Sequence, residues 1–440
     1  MTTLARLTWR MATAALLLAS ASWAASPDGL VADDLAALQW REVGTAMSSG
    51  RVARLAVHPT DPRIIYAATA SSGLWKTVNG GTTWAPVFEH QSSVSMGDVT
   101  LDPNDPNIVW VGTGEQNNVR SSQYGDGVYR SRDGGKSWEH MGLKGSRHVG
   151  RILVHPKDSN TVYVAALGSL WGPSEERGLY RTRDGGKSWT RLLRPSQFTG
   201  VVEVAMHPNN PDILYAATFQ RERRQWSMIG GGPEGGLWRS TDGGDSWTRV
   251  GNGFPTSPVG RIGVTFCASN PDMMYANAVG PDGGTFRSTD AGQTWERRNE
   301  KVQSHWYYGE IFCDPQNPER VYVPVTPLLR SDDGGKSFNN ILDRQVHGDN
   351  HTLWINPKDS DHLIVGNDGG VYISRDAGQH WHWQSNLPLM QLYTVAADMQ
   401  EPFYHVYGGT QDNGSWGGPI GTRFDDGISN EDFLFLSGGD

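Results

Sequence analysis

His347, Asp349 and His351 alternate along the chain, and strand periodicity would project all three to one face. Two imidazoles and one carboxylate are a recognised ligand set for a divalent metal. Spacing identifies no fourth ligand, so a polar strand start facing a wet channel fits the same residues, and the sequence requires no cofactor. Two further carboxylates stand in turn-like elements, Asp368 in Asn367-Asp-Gly-Gly370 and Asp412 in Gln411-Asp-Asn-Gly414. They fall one position apart in successive repeats, which would bring them together with the histidine face in one polar pocket. Neighbouring carboxylates raise one another's pKa, the arrangement of a protonated acid beside an ionised base. Asp-Gly-Gly is also ordinary turn chemistry. On this reading Asp368→Asn leaves the thermal transition nearly intact.

A second set of residues sits on long segments in the second to fourth repeats. These carry Glu115, Asn117, Asn118 and Arg120, then Trp171, Glu175, Glu176 and Arg177, then Arg221, Arg223, Arg224 and Trp226. The segment entering the sixth repeat adds His305-Trp306-Tyr307-Tyr308. Glu115, Arg120, Trp171, Glu176, Arg224, Trp226, Trp306 and Tyr307 are the expected ligand contacts: rings stack on a sugar or peptide while carboxylates and guanidinium groups orient it. Exposed segments decorated at random are the competing reading.

The repeats must position all of these groups. Ser131-Arg-Asp133-Gly-Gly-Lys-Ser137-Trp138 returns as Thr182 to Trp189, Ser240 to Trp247, Ser288 to Trp295, Ser331 to Phe338 and Ser374 to Trp381, with a degenerate copy from Thr77 to Trp84. Asp133, Asp184, Asp242, Asp290, Asp333 and Asp376, with Asn79 in the first copy, recur 43 to 58 residues apart. That period is the mark of a β-propeller. Each unit reads as four antiparallel strands, with the Asp-box as the last turn. Its carboxylate is expected to bond backbone N–H groups and its Trp to pack between sheets, so the boxes are structural and not catalytic.

The predicted architecture is therefore all-β, a propeller over residues 40–440 with seven complete blades and the start of an eighth. Trp40-Arg-Glu-Val43 reads as a last strand without a box, as if closing a final blade. Gln391 to Asp398 and Tyr404 to Thr410 read as two strands of the eighth, and no eighth box follows before Asp440. A fragment of a longer chain is the expectation.

Composition agrees and narrows the partners. With 54 Gly, 18 Trp and 37% hydrophobic residues, the chain suits short strands and tight turns. A net charge of −9 without a Lys/Arg stripe argues against nucleic acid. Residues 1–24 read as a cleavable signal peptide, with Arg6 and Arg10 before an apolar run and Ser22-Trp-Ala24 at its end, followed by a linker over 25–39. Export to the periplasm or beyond follows, and no run is long enough to span a membrane. Cys267 and Cys313 fall on neighbouring innermost strands, where a disulfide is permissible but set by separation.

Asp-boxes of this pattern resemble those of sortilin-type propellers, of xyloglucanase-type glycoside hydrolases and of sialidases. Gly112-Thr-Gly-Glu115, Tyr124-Gly-Asp-Gly-Val-Tyr129, His347-Gly-Asp-Asn-His351 and Gln411-Asp-Asn-Gly414 extend the likeness to secreted bacterial Asp-box (BNR) repeat proteins described as sortilin-like or as glycosyl hydrolases. The first likeness implies glycan or peptide binding at the channel mouth. The second implies glycoside hydrolysis by mouth carboxylates, Asp368 and Asp412. Xyloglucanase-type enzymes place a catalytic Asp in Thr-Asp-x-Gly-Gly of the first blade, where this chain has Ala70 in Thr69-Ala-Ser-Ser-Gly73. That difference favours binding. Arg54, Arg151 and Arg261 resemble the arginine triad of sialidases in parity, but the Arg-Ile-Pro element is missing.

Overall fold

Each Asp-box closes a hairpin by hydrogen bonding its own backbone. Asp133 Oδ1 accepts the Ser137 N–H at 2.9 Å and the Ser131 hydroxyl at 2.7 Å, while Ser137 Oγ donates to Oδ2 at 2.6 Å. Ser131 Oγ in turn accepts the Gly135 N–H at 2.7 Å. Asp184, Asp242, Asp290 and Asp333 repeat the pattern, and in Asp376 the hydroxyl partner is replaced by His380 Nδ1. In three blades the box tryptophan ties one sheet to the preceding one: Trp138 Nε1 donates to Val87 O, Trp189 Nε1 to Met141 O and Trp381 Nε1 to Ile341 O, whereas Trp247 and Trp295 donate to Gly244 O and Gly292 O of their own boxes. The boxes are structural fixtures, as their spacing predicts.

In a computed structural model, residues 49–119, 121–256, 258–302 and 307–438 are described. They form eight antiparallel sheets, each built on a path of four strands. The first sheet runs Val52–Val57, Ile65–Thr69, Leu74–Thr77 and Ala85–Pro86. Its second strand is buried at every position because sheets cover both faces, which is why such strands read as apolar runs and not as alternations.

Seven hydrophobic clusters fill the spaces between successive sheets among the described residues. One of them sets Val52, Leu55, Ile65 and Ala67 of the first sheet against Ile364, Val371 and Ile373 of the seventh, which closes the ring. The expected seventh blade is complete with its own last strand, His382–Trp383. The expected strand at Trp40 and the leader lie outside the described residues.

The eighth sheet corrects the sequence reading. It is not the start of a blade but four strands, Leu392–Ala397, His405–Thr410, Gly414–Pro419 and Leu434–Ser437. The third was hidden by three glycines and a proline, which weaken any strand signal, and the fourth by the absence of a box. All six residues of Leu392–Ala397 are exposed.

Two features stiffen the ring. Cys267 and Cys313 form a disulfide across the fifth and sixth sheets, with a Cα separation of 5.3 Å. In the fourth sheet the second strand, Asn210–Arg223, runs past the blade and pairs with Met228–Gly230, forming a raised hairpin. Among the described residues no helix is long and apolar enough to cross a membrane.

Candidate functional site at the channel mouth

Asp368 caps the strand Asp359–Asn367 and begins the turn into Gly370–Ser374. Its neighbour must be glycine: a Cβ at Gly369 would lie 2.7 Å from His347 Cβ and 2.9 Å from Tyr372 Oη. Four side chains surround the Asp368 carboxylate, His351 from a strand of the seventh sheet and Arg51, Tyr307 and Gln411 from connecting segments. Arg51 Nε donates to Oδ1 at 2.9 Å, His351 Nε2 lies 2.6 Å from the same oxygen, and Tyr307 Oη and Gln411 Nε2 donate to Oδ2 at 2.9 and 3.1 Å. Burial alone would raise the Asp368 pKa, but the Arg51 guanidinium and His351 overcome it and hold the carboxyl well below the usual range. Of the acid and base expected for the Asp368/Asp412 pair, Asp368 is the ionised member.

Arg51 is shared. Its Nη1 donates to Glu115 Oε1 at 2.9 Å, and Glu115 also accepts from Asn117 Nδ2 at 2.9 Å. Glu115 is therefore a buried floor of the mouth and not an exposed ligand contact. Tyr307 is similarly turned inward, and burial pushes its pKa well above the ordinary value.

Asp412 enters from the eighth sheet on a left-handed backbone, φ 58°. Gln411 Nε2 bridges it to Asp368, 2.9 Å from Asp412 Oδ2, and Asn413 Nδ2 donates to the Asp368 carbonyl at 2.9 Å. One oxygen from each of Asp349, Asp368 and Asp412 lies within 4.8 Å of the others. The sequence-predicted proximity of Asp368 and Asp412 is present in the structure.

The histidine face is divided differently from the expectation. The strand begins only at Asn350, so residues 347–349 do not alternate. His347 Nδ1 accepts the Asp349 N–H at 3.3 Å, the Asp349 carboxylate takes the Tyr308 and Thr326 hydroxyls, and His351 turns to Asp368. The group with metal-ligand geometry is thus Asp349, Asp368 and Asp412, without either histidine. A hard cation would suit those oxygens, in competition with the guanidinium and amide donors already on Asp368.

Two of the three arginines with sialidase-like parity are ion-paired. Arg54 pairs with Asp98 at 2.8 Å and with Glu310, and Arg151 pairs with Glu203 at 2.5 Å. Arg261 donates to Gln116 Oε1 at 3.0 Å and to Tyr307 O at 3.2 Å. With Arg54 and Arg151 committed to carboxylates, the three do not form a common anion cradle.

Of the expected loop contacts, Glu115 and Tyr307 join the Asp368 cluster, from buried positions. Trp171 and Trp226 are 43% and 79% exposed, on neighbouring segments joined by the Arg223 N–H donating to Leu170 O at 2.8 Å. Arg224 is held by Glu222 at 2.5 Å, and exposed Glu176 accepts the Ser174 hydroxyl at 3.2 Å. Arg120 and Trp306 lie outside the described residues. A cavity of about 580 Å³ opens beside Asp368, between the seventh and eighth sheets. Its lining includes Ser49, Arg344, His347, Gly369, Tyr372, His382, Trp383, Asn413 and Trp416. Sequence reasoning missed Arg51, Arg344, Trp383 and Trp416. Trp383 follows a box tryptophan by two residues, a spacing that could have marked it as a second, differently directed ring.

Ring, boxes and mouth together define an Asp-box (BNR) repeat β-propeller. Comparison with known proteins agrees. A family profile described as sortilin, neurotensin receptor 3, matches residues 126–250, and one described as photosynthesis system II assembly factor YCF48 matches residues 264–397. A xyloglucanase of Paenibacillus sp is 26% identical over 369 residues, covering 75% of this chain and 35% of the relative. A xyloglucanase of Acetivibrio thermocellus is 24% identical over 356 residues, covering 69% and 39%. The chain thus spans between 35% and 39% of the length of these relatives. Among solved structures, the GH74 xyloglucanase from Xanthomonas campestris superposes with a TM-score of 0.62 at 19% identity, covering 85% of this chain and 59% of that one. YCF48 bound to D1 peptide superposes with a TM-score of 0.50 at 16% identity, covering 77% and 98%. These likenesses establish the fold.

Proposed function

We propose that the chain is an exported glycan-binding propeller that retains its ligand at the Asp368 end of the channel without cleaving it. The observation that carries this reading is the state of Asp368: a carboxylate held ionised by Arg51 and His351, and filled by four donors, is a poor proton donor and a poor base. Ala70, at the position matched to the catalytic Asp of xyloglucanase-type enzymes, is a buried methyl group. The cavity beside Asp368 offers aromatic faces for sugar rings and polar groups at its edge, a combination suited to carbohydrate.

The second reading is glycoside hydrolysis, favoured by the xyloglucanase relatives and by Asp412 beside Asp368. One oxygen of each lies within 4.8 Å of the other, a spacing nearer the roughly 5–5.5 Å between carboxyl groups of retaining glycosidases than that of inverting ones. Incubation of the full chain with a glycan and peptide array, scoring retention and newly formed reducing ends, separates the readings. Retention of glycans without new ends is expected. Release of reducing ends that Asp412→Asn abolishes would establish the hydrolase instead, and exclusive retention of peptides would reject a glycan ligand.

A further inference from the structure

The cavity beside Asp368 has a charge as well as a shape. Among the described residues no carboxylate lines it, although Asp349, Asp368 and Asp412 stand close behind its wall. Arg344, exposed at its rim, has no hydrogen bond or ion pair among the described residues. Asp343, the adjacent carboxylate in sequence, accepts the Gln345 N–H at 2.8 Å and lies outside the lining, although its charge reaches the cavity-lining Tyr372. His347 is a directed donor: its Nδ1 accepts the Asp349 N–H, so in the neutral ring the proton resides on Nε2. His382 supplies a second imidazole.

Aromatic rings make up much of the rest. Tyr372 and Trp383 stack with centroids 6.4 Å apart and planes 26° apart, and Trp383 is fixed by donating Nε1 to Gly369 O at 2.9 Å. Trp416 from the eighth sheet is fixed by donating to Asn413 O at 2.9 Å. Ring nitrogens committed to backbone carbonyls leave these indoles as apolar faces, which suit the C–H face of a sugar and not its hydroxyls.

We propose that this cavity is a subsite for an anionic sugar, a residue bearing a carboxylate or sulfate, with Arg344 and His347 taking the anion and the aromatic faces taking the ring. The proposal rests on the glycan-binding reading above and narrows it. A neutral glucan would use the rings and leave the guanidinium without a partner. A guanidinium fork, by contrast, matches the two oxygens of a carboxylate or sulfate.

The test is calorimetric titration of the full chain with four probes: oligogalacturonides, the same oligomers reduced at carboxyl groups to neutral sugars, sulfated chondroitin oligosaccharides, and neutral xyloglucan oligosaccharides. One or both anionic probes are expected to bind about tenfold more tightly than the neutral ones, the worth of one charge-assisted bond. Which of the two binds identifies the anion. Raising salt should erode the preference. Arg344→Gln should abolish it with unchanged melting, since Arg344 holds nothing else, and Arg344→Lys should restore part of it. Equal or tighter binding of the neutral sugars, or an undiminished preference in Arg344→Gln, overturns the proposal while leaving glycan binding standing. Failure of all four probes overturns both.

Discussion

His351 Nε2 lies 2.6 Å from Asp368 Oδ1, and both side chains are 1% exposed. Together with Arg51 on the same oxygen, this makes Asp368 the hub of the mouth, so its loss is structural before it is chemical. Asp368→Asn removes one of the two carboxylates that compensate the buried Arg51 guanidinium, Glu115 being the other, a cost of about 1–3 kcal/mol. The thermally silent substitution expected from sequence thus becomes a destabilising one, to be read by calorimetry at neutral pH.

Acid should act on the same group. The folded pKa of Asp368 is depressed, so its contribution is fully present above the unfolded value of about 3.9 and is lost as pH falls below it. The melting temperature of the native chain should therefore drop below about pH 4. In Asp368→Asn that acid dependence should be smaller.

The Asp-boxes provide a second acid transition. Hydrogen bonds from Ser137 and Ser131 lower the Asp133 pKa to about 2. Being depressed, it too stabilises above its unfolded value and fails as pH falls toward about 2. Asp133→Ala should lower the melting temperature and leave ligand retention unchanged, because the turn lies at the end of the blade away from the mouth cavity. Lost retention with unchanged melting would reverse the structural assignment.

Reduction offers an independent probe of the ring. The Cys267–Cys313 link spans 46 residues, for which chain-entropy arguments give about 4 kcal/mol as the stabilisation. Thermal melts with and without reductant, and of Cys267→Ser, should show a clear decrease. An unchanged transition would indicate that the two thiols are not bridged in solution.

Gly369→Ala tests the cavity wall. Its Cβ would collide with His347 Cβ and Tyr372 Oη, displacing the ring that faces the ligand. Ligand retention should fall at least tenfold if about 1.4 kcal/mol of contact is lost. Retention equal to that of the native chain would place the ligand elsewhere.

Much of this was legible in the sequence because the Asp-box is local: its Ser, Asp and Gly bond within a few residues, so spacing alone reveals the hairpin. The site was legible only in part. Asp368 and Asp412 could be brought together because equivalent positions of successive repeats point to the same end of the fold. Their chemical state could not be read, since Arg51 precedes Asp368 by 317 residues and reaches it only when the seventh sheet closes on the first. The histidine face failed because alternation was assumed from His347, three residues before the strand begins at Asn350. The eighth sheet lost half its strands to the reading because Gly414–Pro419 lacks a strand composition.

Because one wall of the cavity belongs to the seventh sheet and another, through Asn413 and Trp416, to the eighth, any occupant is a clamp between two parts of the chain joined by a short connection. By mass action, saturation at a hundredfold over Kd adds about 2.7 kcal/mol to whatever holds those walls together. The opening fluctuations of the eighth sheet therefore become a gauge of occupancy. Amide exchange along Gly414–Pro419 should slow as ligand is added, while exchange in Ile65–Thr69, buried on the first sheet, stays the same.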